Sequence, residues 1–89
     1  MDEEMIQEVM NVLTEWNPLG DKASDVPDLD NYRTEAIDIL LQIDFEDANT
    51  ETRVITLVKN LLNQAFDLTL TKEDCIAAGK KIYKIVKSK

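Results

Sequence analysis

A chain of 89 residues with a formal charge of −8, 44% hydrophobic and 31% charged, has room for one domain around a thin core and none for a second. Its 18 acids against 10 bases disfavour nucleic acid and anionic membrane, whose phosphates they repel, and leave a basic or neutral protein as the expected partner. There is no histidine, which removes the commonest general base and transition-metal ligand, and no apolar run approaches the roughly 20 residues that span a bilayer.

The amino end, Met1-Asp2-Glu3-Glu4, is acidic where a secretory leader is basic, so a cytoplasmic location is expected. A lone Cys75 fits a reducing compartment, since small secreted domains carry paired cysteines. From residue 3 to 16, Met5, Ile6, Val9, Met10, Leu13 and Trp16 recur on one side of a helix and Glu4, Glu8 and Glu15 on the other. Trp16-Asn17-Pro18-Leu19-Gly20 then stops it. A residue before proline is pushed out of the helical region, Pro18 presets a turn, and Gly20 tolerates the positive φ that closes one. Trp16 and Leu19 are expected to plug the helix end, or else to offer an exposed apolar anchor to a partner.

Residues 17–29 form a long polar connection, and connections of this length are often functional. Asp21, Asp25, Asp28 and Asp30 crowd into it and the start of the next helix, which invites a calcium reading. An EF-hand starting at Asp28 would have Asp30 in place, but Tyr32 where an oxygen ligand belongs and Ile39 where the bidentate Glu belongs, so that reading fails. Asp28 or Asp30 is better understood as an N-cap. A second helix is predicted over 30–43, apolar on more than half its circumference through Tyr32, Ala36, Ile37, Ile39, Leu40, Leu41 and Ile43, and therefore central.

Asp44 to Asn49 reads as a short acidic link in which Phe45 packs inward. Asn49 or Thr50 caps a third helix to Phe66, with Val54, Leu57, Val58, Leu61 and Leu62 on one face; Leu68 and Leu70 staple the link beyond. Thr71-Lys72-Glu73-Asp74 is a capping box with Asp in the Glu position, opening a helix to about residue 87. Cys75, Gly79, Ile82 and Val86 share its apolar face, and Gly79 admits a close neighbour. Charge is segregated along the chain: residues 1–74 carry all 18 acids and five bases, and residues 75–89 five Lys and no acid.

The chemistry open to these residues is narrow. Cys75 alone makes no zinc site, and on an apolar face it is an inert thiol. The two glycines build no phosphate loop. Paired carboxylates need a pocket that perturbs them, for which so small a helical domain has little room. Lys80, Lys84 and Lys87 complement the negative end of their own helix and form its solvent face. No enzyme activity, metal or cofactor is expected.

The Trp16-Asn17-Pro18-Leu19-Gly20 motif, followed by Tyr32 with Glu35 and Ile37, the run from Val54 to Phe66 and the helix carrying Cys75 and Ala78, resembles the YugE-like family of small bacterial proteins, catalogued as a domain of unknown function. The resemblance implies a compact helical protein of the bacterial cytoplasm and brings no activity with it.

The expectation is thus an all-α single domain, 1–89, of four helices at 3–16, 30–43, 50–66 and 72–87, in a bundle or an irregular array. Its expected role is a non-catalytic protein-binding or regulatory module whose site combines Trp16, Leu19, Asp21, Asp25, Asp28 and Asp30. An immunity or antitoxin protein that occludes a basic toxin is a special case. The alternative is a homo-oligomeric subunit that buries the wide apolar arc of the second helix or the Gly79 face. Monomer and homodimer both stay open.

Overall fold

The computed structural model describes residues 2–20 and 32–88, which fold into four helices: α1 (Glu3–Trp16), α2 (Arg33–Glu46), α3 (Glu51–Phe66) and α4 (Lys72–Lys87). Each helix packs on its neighbours in the chain and α4 closes back on α1, so the four surround one core. The smallest extent of the molecule, 20 Å, is about two helix diameters. No helix among the described residues is long and apolar enough to cross a membrane.

Local chemistry sets most of the ends. Asp2 caps α1 by accepting from Glu4 N–H at 3.0 Å, and Thr50 caps α3 by accepting from Arg53 N–H at 3.2 Å. The capping box of α4 is complete: Asp74 N–H donates to Thr71 Oγ1 at 3.2 Å while Asp74 Oδ2 accepts from Thr71 N–H at 2.9 Å. Three helices end on a non-glycine residue in the left-handed region, Asn17 (φ 50°), Asp47 (φ 52°) and Asp67 (φ 54°). Asn and Asp enter this region more readily than other non-glycine residues, and the chain has only two glycines to spend on turns.

Two of these ends depart from expectation. Asn17 is left-handed, where a residue before proline favours the extended region; its amide holds it there, with Nδ2 donating to the Gly20 carbonyl at 3.4 Å and Oδ1 accepting from Tyr32 at 2.8 Å. Helix α2 is displaced by three residues, running Arg33–Glu46 in place of 30–43. Tyr32 takes its cap position with φ 65° and no side-chain cap bond, and the expected caps, Asp28 or Asp30, lie outside the described residues.

The core is formed by Val9 and Leu13 of α1, Ala36 and Ile39 of α2, Val54, Val58 and Leu62 of α3, and Ile82 of α4. Burying each large side chain contributes about 1.5–3 kcal/mol. The α3–α4 contact depends on Gly79, because a Cβ there would lie 2.5 Å from Ile55 Cγ1 and 3.0 Å from Ile55 Cα. Leu68 and Leu70 pack on the core as expected, and Asn63 brackets Leu70 by accepting from its N–H at 2.8 Å and donating to its carbonyl at 3.1 Å. Gly79→Ala gains helix propensity but drives a methyl into Ile55, backbone included. The variant is expected to be less stable by about 1–3 kcal/mol in urea unfolding; equal or greater stability would show that the two helices do not approach this closely.

Candidate protein-binding surface

The residues expected to form a site separate in the structure. Leu19 is 6% exposed and belongs to the core: the turn after Pro18 tucks it inward, as the plug on the helix end requires, and it leaves no surface there for a partner. Trp16 is half-buried and packs against the same core. Asp21, Asp25, Asp28 and Asp30 lie outside the described residues.

What the Trp16–Gly20 turn does is receive Tyr32. The Tyr32 hydroxyl donates to Asn17 Oδ1 at 2.8 Å and accepts from Leu19 N–H at 3.3 Å, while its ring meets Phe66 edge-on with centroids 6.2 Å apart. Burial pushes the phenol above its ordinary value of 10, and the Leu19 N–H offsets part of that rise. One side chain thus ties the end of α1, the start of α2 and the end of α3.

Glu35, one turn into α2, is half-buried, and its Oε1 has no hydrogen-bond partner. Burial, with the charge of Asp38 behind it, raises its pKa. Cys75 is fully buried and its thiol is pushed up to about 11, chiefly by burial, so almost none is thiolate at neutral pH. Lys80, Lys84 and Lys87 are exposed, as a solvent face requires, and Lys81 reaches Glu15 only at 3.9 Å. Among the described residues, no group of three or more acids or cysteines is placed to hold a metal.

The surface that stands out was hidden inside the apolar arc of α2. Only one side of that arc, Ala36, Ile39, Leu40 and Ile43, is buried. Leu41 is 51% exposed and Phe45, one turn further on, is 87% exposed. The expected inward role of Phe45 is therefore overturned. Asp47 N–H bonds back to the Asp44 carbonyl and Ala48 N–H to the Ile43 carbonyl at 2.9 Å, which carries the helix through Glu46 and turns Ala48 inward instead. Residue 45 lies 200° around the helix from Ile43, on the solvent side. Leaving Phe45 in water forgoes about 1.5–3 kcal/mol that burial would supply.

Two grooves border α2. One, of about 350 Å³, lies where α1, α2 and α4 meet; Met5, Leu40, Leu41, Ile43 and Val86 line it and Asp2 and Asp44 rim it. The other, of about 380 Å³, runs between α2 and α3 and is mixed in character, with Gln42, Glu46, Arg53, Asn60 and Gln64 around Ala48, Leu57 and Leu61. Glu35, Asp38, Asp44 and Glu46 make α2 acidic, and its one base, Arg33, is held by Glu3 in a two-point pair at 2.7 and 3.0 Å.

Comparison with known proteins finds no matching family model, no matching curated protein and no matching solved structure.

Two substitutions test this geometry. Tyr32→Phe keeps the ring but leaves Leu19 N–H and Asn17 Oδ1 without the hydroxyl, and is expected to cost about 1–3 kcal/mol, read as a lowered melting temperature; an unchanged melting temperature would remove the hydroxyl from the account. Because the folded pKa of Glu35 is raised, its contribution is most favourable below the ordinary value of 4.5 and declines as pH rises through the folded pKa. Glu35→Gln should therefore melt above the parent at pH 7, with the gap closing as pH falls toward 4.5; a gap constant with pH would contradict the burial of this carboxylate.

Proposed function

We propose that this chain is a small, non-catalytic protein-binding module that docks a partner through the outward face of α2. The observation that carries the reading is the pair Leu41 and Phe45, one turn apart, apolar and open to solvent on a helix whose other side forms the core. Large aromatic side chains left in water at a cost in stability are the usual anchors of interfaces. The site moves accordingly from Trp16 and Leu19, which serve the α1 turn, to α2. The inert thiol and the lack of histidine support a role that rests on binding.

A regulatory role in a bacterial cytoplasm belongs to the same reading. The lone Cys75 supports a reducing compartment, and the resemblance to the YugE-like family rests on the sequence of the Trp16–Gly20 turn and Tyr32. An immunity or antitoxin role, with a basic toxin as the partner, is the special case that the charge of −8 favours. A homodimer through the same face is the second reading. The exposure of Phe45 favours it, and the acids of α2, which would face their own copies, oppose it.

The test joins mass and capture. Sedimentation equilibrium is expected to give the mass of one chain for the parent and for Leu41→Ser/Phe45→Ser alike, and a tagged parent is expected to retain from bacterial lysate a protein that the double variant loses. A dimer that the double variant dissociates would replace the module with the self-associating subunit.

A further inference from the structure

We propose that the occupant of the α2 face is a basic amphipathic helix of another protein, with a large apolar side chain in the α1/α2/α4 groove and Lys or Arg residues against Asp2, Asp38 and Asp44. This deepens the docking reading above and rests on it.

Three observations select this occupant. First, the described residues contain no strand, so there is no sheet edge among them on which an extended peptide could add itself, and a helix laid in a groove is a peptide-binding mode the surface admits. Leu41 and Phe45 are spaced by one helical turn, the spacing that anchors at i and i+3 or i+4 of a second helix match. Second, the groove beside them is apolar along its floor, through Met5, Leu40, Ile43 and Val86, and at about 350 Å³ sits at the small end of binding pockets, sized for a few side chains.

Third, the charged residues on it are, among those described, all acidic. Asp2 and Asp44 stand on the groove itself, and Asp38 is exposed one turn before Leu41 on α2. Two cations of the flanking helices are engaged: Arg33 is paired with Glu3, and the Lys87 ammonium lies over the Tyr83 ring, 5.7 Å from its centroid. An apolar anchor flanked by cations complements this surface, and one flanked by anions is repelled. A second copy of this chain supplies less of that anchor: its basic helix, α4, buries Cys75, Ala78 and Ile82 in its own core and leaves Ile76, 39% exposed, as its one large exposed apolar side chain.

The test uses the full chain and three designed amphipathic peptides of equal length that share one pattern of leucines and differ in the residues between, Lys, Gln or Glu, together with a scrambled Leu/Lys peptide. Titration calorimetry is expected to show the Leu/Lys peptide binding at least about tenfold more tightly than the Leu/Gln and scrambled peptides, weakened at least about tenfold by Phe45→Ser. Because Phe45 is 87% exposed, that variant keeps the fold, which circular dichroism verifies. Asp38→Lys/Asp44→Lys is expected to reverse the order in favour of the Leu/Glu peptide.

Equal binding of Leu/Gln and Leu/Lys peptides would overturn the basic partner and leave the docking reading intact. Equal binding of the scrambled peptide would reduce the effect to bulk charge and overturn the helix-in-groove mode. Failure of every peptide, alongside a dimer that Phe45→Ser dissociates, would overturn the inference and the docking reading together.

Discussion

The hydroxyl of Tyr32 is the contact on which the arrangement of the first three helices depends. It is 2.8 Å from Asn17 Oδ1 and 3.3 Å from Leu19 N–H, so it fastens the exit of α1 to the entry of α2 across residues distant in sequence. The strain taken up there is visible in the backbone: Asn17 and Tyr32 both sit at positive φ, and neither is glycine. Such positions persist where surrounding contacts over-determine them, here the two amide bonds of Asn17 and the ring of Phe66 against Tyr32.

From that joint the packing follows in order. With α1 and α2 set, α3 packs on α2 and buries Val54, Val58 and Leu62 in the common core, and α4 lies on α3 as closely as Gly79 allows before returning to α1. A ring of four helices satisfies each element with two neighbours. Helix α2 carries apolar residues around more of its circumference than two neighbours can cover, and the surplus, Leu41 and Phe45, is left in solvent. The proposed docking surface is thus a geometric remainder of the fold, on a helix that carries four acids and one base.

Electrostatics divides the molecule in the same sense. The lysines of α4 suit the carboxyl end of that helix and face water, while the acids of α2 surround apolar surface. Charges near an apolar anchor select among partners far more than charges on an open face do, because they are partly dehydrated on docking. This is why the lysine row, prominent in the sequence, carries less of the functional argument than Asp38 and Asp44.

The all-α class, the extents of α1, α3 and α4, the cap of α4 at Thr71 and the choice of Asn49 or Thr50 for that of α3, and the inert Cys75 follow from the chain alone, because they depend on contacts within a few residues or on a single periodicity. The displacement of α2 does not. Its apolar residues cover more than half of the circumference, so periodicity could not say which side is core or where the helix stops, and Phe45, expected to pack inward from a link, lies within the helix and faces solvent. Nor could the sequence pair Tyr32 with Asn17, since that requires α1 and α2 to meet first. Short-range chemistry determined the elements; which apolar residues the core would leave over was decided only when four helices closed around it.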